Sequence, residues 1–105
     1  MNETTYQRGL IKRIKARFPG CVVMKNDPRQ EQGIPDLLIL CGNTWAMLEV
    51  KMDETSALQS NQEYYVDRYR SMSYASFVNP GNEREVLDDL QQTFRARGAA
   101  CVSQS

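Results

Sequence analysis

Between Thr4 and Phe18 the apolar residues Tyr6, Leu10, Ile11, Ile14 and Phe18 follow at steps of four, one, three and four. That spacing draws one stripe along an amphipathic helix, which Pro19-Gly20 stops. Cys21 to Lys25 is a short run of β-formers, and Asn26 to Pro35 is a polar loop containing Pro28, Gly33 and Pro35. Two further strands, Asp36 to Cys41 and Thr44 to Lys51, flank Gly42-Asn43, the signature of a tight hairpin. Leu58, Tyr65, Val66 and Tyr69 mark a second helix, with Thr55 and Ser56 as candidate caps. Ala75 to Asn79 reads as a last strand. Asn82 and Glu85 have capping-box spacing ahead of a third helix striped by Val86, Leu87, Leu90 and Phe94. The predicted order is αβββαβα, an α/β fold. At 105 residues the chain is a single domain, expected to span residues 1–96 with a small-polar tail at 97–105.

Register gives the pattern its chemical content. If Gly42-Asn43 is a two-residue turn, Cys41 faces Thr44 and Asp36 stands opposite Glu49. Opposed side chains share a face about 4.5–5.5 Å apart, and Lys51, two residues on, joins them. The same face carries Leu38, Leu40, Trp45 and Met47. The other carries Leu37, Ile39, Ala46, Leu48 and Val50. Both faces are apolar, so helices are expected on both. Two directly opposed acids are destabilising without a cation. Lys51 could neutralise them in a strand-end ion network, or the two carboxylates could hold a hard divalent cation, which prefers oxygen ligands. The reading depends on the turn, because a three-residue loop would set Asp36 against Val50. Glu3 falls in the first turn of helix one, where an acid also suits the helix dipole. Gln62 shares the inward face of helix two with Leu58 and Tyr65, so its amide needs a partner or a cleft.

Composition narrows the chemistry. The sequence has no histidine, which removes Ser-His-Asp and Cys-His nucleophile pairs and histidine metal sites. Its three cysteines, Cys21, Cys41 and Cys101, have no CxxC spacing, so neither a disulfide framework nor a zinc cluster is expected. The longest apolar run, Leu37 to Cys41, is too short to span a bilayer, and the first residues lack signal-peptide order. A cytoplasmic setting follows as the expectation. Thirteen basic and thirteen acidic residues balance. Residues 1–30 nevertheless hold seven basic groups against two acids, a local +5. Lys12, Arg13, Lys15, Arg17, Lys25 and Arg29 are candidate phosphate contacts, or simply a solvated basic face.

Gly33-Ile34-Pro35-Asp36, then Glu49-Val50-Lys51 after a tight hairpin, then Leu58-Gln59-Ser60-Asn61-Gln62 entering a helix, together resemble the virus-type replication-repair nuclease family (VRR-NUC). That family belongs to the PD-(D/E)XK nuclease superfamily, and the resemblance spans about residues 2–92. It implies a restriction-endonuclease-like αβββαβ core, a mixed central sheet flanked by helices. It also implies Mg²⁺-dependent hydrolysis of DNA, with Mn²⁺ as a substitute. Asp36 and Glu49 would be metal-binding carboxylates, the Val50 carbonyl a further ligand, and Glu3 would approach the metal from helix one, directly or through water. Lys51 would orient water and stabilise phosphate charge, and Gln62 would complete the catalytic set. Gly33 and Pro35 would shape the approach to Asp36. Stand-alone members resemble homodimeric resolvases of branched DNA such as Holliday junctions. A flap or restriction-like nuclease subunit, and a non-catalytic DNA-binding module that keeps the fold, are the alternatives.

Overall fold

The computed structural model describes residues 1–52, 62–99 and 101. Its elements are α1 (Glu3–Arg17), β1 (Val22–Lys25), β2 (Leu37–Cys41), β3 (Thr44–Val50), α2 (Gln62–Arg70), β4 (Tyr74–Val78) and α3 (Glu83–Ala96). The order matches the periodicity reading. The strands form one mixed sheet in sequence order, antiparallel between β1, β2 and β3 and parallel between β3 and β4.

The hairpin register is the expected one, with Cys41 opposite Thr44 and Leu37 opposite Leu48. One sheet face packs Leu37, Ile39, Ala46, Leu48 and Val50 against Tyr6, Leu10 and Ile14 of α1 and Val86, Leu87, Leu90 and Phe94 of α3. Fully burying an aliphatic side chain is worth about 1.5–3 kcal/mol, so this layer dominates the stability. Phe18 meets Phe94 edge to face at 5.3 Å. The other face places Met47 and Ala75 under Val66 of α2, with Leu38, Trp45, Tyr69 and Phe77 around them.

Polar clasps fix the helices. The Asn2 side chain caps α1 by accepting from the Thr5 N–H at 2.8 Å. Arg13 binds both oxygens of Glu83 at 2.7 and 2.8 Å, and the Tyr6 hydroxyl donates to the same carboxylate at 2.7 Å. Arg17 donates to Asp88 and to Gln91. These contacts hold α1 against α3.

Three expectations change. Asn82 makes no side-chain cap on α3; its amide instead accepts from the Asn79 N–H and donates to the Phe77 carbonyl, closing the turn after β4. The segment expected as a tail from residue 97 buries Ala99 and Cys101 in the core, and Arg97 donates to Thr44 and Ser73. Cys41 and Cys101, whose spacing announced no bridge, are joined as a disulfide with Cα atoms 5.7 Å apart across 60 residues. The chain returns after α3 beside the end of β2, a long-range proximity that local spacing cannot reveal. The candidate caps Thr55 and Ser56, and Leu58, lie outside the described residues.

Candidate active site

The loop from Asn26 to Asp36 ends in a clasp. The Asn26 N–H donates to the Asp36 carbonyl at 2.8 Å, and its side-chain amide donates to the Pro35 carbonyl at 2.9 Å. Pro35 is buried, and Gly33 takes the left-handed conformation at φ 91°, which suits a residue without Cβ. Asp36 therefore enters β2 with its backbone held on both sides. Its side chain is held as well, since Oδ2 accepts the Val50 N–H at 2.9 Å.

That bond crosses directly to the Glu49-Val50-Lys51 end of β3. Glu49 is only 3% exposed. Burial is the largest cause pushing its carboxyl well above the usual carboxylate range, followed by hydrogen bonding to Asp36 and by the charges of Asp36 and Glu3. Lys51 works in the opposite sense. The protonated Glu49 carboxyl is thus the donor to Asp36. Glu3 is raised as well, by partial burial and then by Asp36, again opposed by Lys51. These mutual influences bring Glu3, Asp36, Glu49 and Lys51 into one electrostatic neighbourhood, drawn from α1, the residue before β2 and the end of β3. The Lys51 N–H donates to the Val78 carbonyl at 2.9 Å, which extends the parallel pairing past the end of β3. Gln62, half-buried, is the first residue of α2.

The carboxylates of Asp36 and Glu49 are hard oxygen donors of the kind that suits Mg²⁺ or Mn²⁺, with Glu3 and Lys51 within electrostatic reach. Asp36 and Glu49 are the pair that could hold such an ion. Among the described residues no group of three or more His, Cys, Asp or Glu side chains is already gathered to hold one. Asp36 and the buried Glu49 are instead hydrogen-bonded to each other.

The sequence-predicted phosphate contacts separate into two groups. Arg13 and Arg17 are tied to Glu83 and Asp88, and Arg29 to Asp27. Lys12, Lys15 and Lys25 are exposed and form no ion pair among the described residues. Arg8, exposed one turn before Lys12, extends their stripe along α1. Gln7 was missed by the sequence reading. It is only 8% exposed and lies one turn past Glu3 on the same helix face. A glutamine falling on the Tyr6-Leu10 stripe was the available signal.

No family model matches the sequence, and no curated protein matches it. Solved structures do. A structure described as a VRR_NUC domain is 24% identical, with a TM-score of 0.65 over 82% of this chain and 94% of its own. A second, described as a VRR_NUC domain protein, is 18% identical, with a TM-score of 0.66 over 90% of this chain and 89% of its own. With the element order, the mixed sheet and the hairpin register, these likenesses show that the chain has the fold of a VRR_NUC domain.

Proposed function

We propose that this chain is a divalent-metal-dependent endonuclease that hydrolyses phosphodiester bonds in DNA. The observation that carries the reading is the pairing of Asp36 with buried Glu49 beside Glu3 and Lys51. A fold gains nothing from burying an acid against two others, whereas a cation between them relieves the repulsion. Mg²⁺ held by Asp36 and Glu49, with Mn²⁺ as substitute and the Val50 carbonyl as a further donor, would supply Lewis acidity and lower the pKa of bound water.

The remaining roles belong to the chain itself. Lys51 orients the attacking water and offsets charge building on the phosphoryl oxygens. Glu3 accepts a hydrogen bond from that water. Gln62 offers amide donors to the phosphate from the start of α2. The water oxygen forms a bond to phosphorus, releasing its proton to solvent by way of the Glu3 carboxylate, as the bond to the leaving oxygen breaks and the leaving oxygen takes a proton from solvent. Lys12, Lys15 and Lys25, with Arg8, are the phosphate contacts for the rest of the backbone, and Arg13, Arg17 and Arg29 contribute charge while serving as braces. Reading by phosphate contact leaves shape as the selector. A homodimer acting on branched DNA is the form we assign to it, since two copies double a modest basic surface.

The test is a gel assay on four-way junction, flap, nicked and linear DNA. Cleavage is expected in Mg²⁺, absent in EDTA, and absent for Asp36→Asn and Lys51→Met. Full cleavage by either variant overturns the site, and equal cutting of linear and branched DNA overturns the preference for branches.

A further inference from the structure

On the sheet face that carries Asp36 and Glu49, α2 covers the β3 and β4 side and leaves a row of rings near its edge. Trp45 meets Tyr69 edge to face at 6.1 Å, Tyr69 stacks on Tyr65 at 6.1 Å and 18°, and Tyr65 meets Tyr64 edge to face at 5.2 Å. Trp45, Tyr69 and Tyr65 are partly exposed, and Tyr64 is 58% exposed. The row is tied to the loop that leads into the candidate site. Tyr65 lies one turn past Gln62, and its hydroxyl donates to Glu31 in the loop that leads into Asp36. Arg68 is exposed, lies three and four residues past Tyr65 and Tyr64, and forms no ion pair among the described residues. Helical spacing sets it beside both rings.

Resting on the nuclease reading above, we propose that Trp45, Tyr69, Tyr65 and Tyr64 form a stacking platform for unpaired bases of a DNA single strand leaving the cleavage site, with Arg68 on its phosphates. Rings accept any base on their faces, so such a platform binds single strands with little regard to sequence. It distinguishes an unpaired arm from a duplex, whose bases are already stacked on one another. A second copy of the chain fits the row less well. The aliphatic neighbours Val22, Met24 and Leu40 are 50%, 49% and 37% exposed. Three partly exposed side chains fall far short of the roughly 800 Å² each partner contributes to a stable interface.

Trp45 is the sole tryptophan and reports on the row directly. Titrating the full-length protein with oligothymidylate in EDTA is expected to quench its emission saturably. Tyr64→Ala weakens that binding roughly 5- to 150-fold, the range of one lost base stack, and Tyr64→Phe leaves it unchanged. Arg68→Gln lowers the salt slope of log K by about 0.7, one single-strand phosphate contact. Three results would overturn the platform: no quenching, a Tyr64→Ala variant that binds as wild type, or equal competition by duplex. Quenching that follows protein concentration rather than DNA also overturns it and assigns the row to a second copy. The two readings fail separately. Quenching without Mg²⁺-dependent cleavage strikes the nuclease reading alone, and cleavage without quenching strikes the platform alone.

Discussion

Glu49→Gln should make the metal-free protein more stable while abolishing the proposed cleavage of DNA. The substitution keeps the side chain's shape and a donor toward Asp36, but removes the ionisable group. In the unfolded chain Glu49 titrates near 4.5, whereas in the fold burial and then Asp36 hold it protonated far higher. Between these two pH values the native state binds the extra proton, so stability falls as pH rises, by 1.36 kcal/mol for each unit. If the folded carboxyl stays protonated at pH 7, the cost there is set by the 2.5-unit gap from 4.5, roughly 3 kcal/mol. Below pH 4 both states are protonated and the cost vanishes. Urea denaturation in EDTA at pH 4 and pH 7 measures it: the gain from Glu49→Gln should be near zero at the lower pH and a few kcal/mol at the higher. A gain that does not grow with pH, or a loss at pH 7, would refute the picture of a proton trapped between Glu49 and Asp36.

Further outcomes follow from the braces and the surface. Glu83 is held below the usual carboxylate range chiefly by its hydrogen bond from Arg13. Its contribution is therefore present above the ordinary carboxylate pKa and lost as pH falls through the lowered one. Arg13→Met should remove about 1 kcal/mol at pH 7, a modest figure because the guanidinium is half exposed; the deficit should shrink on acidification in thermal melts. Cys101→Ser should lower oxidised stability by about 4 kcal/mol, the loop entropy of a 60-residue closure. Under reducing conditions that difference should largely disappear. Replacing Lys12 and Lys15 together with Gln should reduce the salt slope of duplex binding by about 2, measured by fluorescence anisotropy across NaCl concentrations.

What the sequence disclosed was governed by the range of the interactions involved. The α1 stripe, the Gly42-Asn43 turn and the pairing of Asp36 with Glu49 rest on local periodicity and turn chemistry, and the structure reproduces them. The Asn82 cap failed because its amide found better partners in the turn after β4. The division of α1's basic residues into braces and free lysines depends on where α3 lies, and helical spacing alone does not supply that. The bridge between Cys41 and Cys101, and the row from Trp45 to Tyr64, join residues that only tertiary packing brings together. Gln7 was legible as a misfit on an apolar stripe, and the structure buries it.

The Asn26 clasp has a consequence for how such a protein can be altered. By gripping the carbonyls of Pro35 and Asp36 it closes the intervening loop into a ring whose ends are fixed independently of its contents. The residues from Asp27 to Gln32 can then be varied, with Gly33 kept for its left-handed backbone and Asp36 held where it is. Their tie to α2 through Glu31 and Tyr65 makes that loop a place where the approach to Asp36 can be reshaped without moving Asp36 itself.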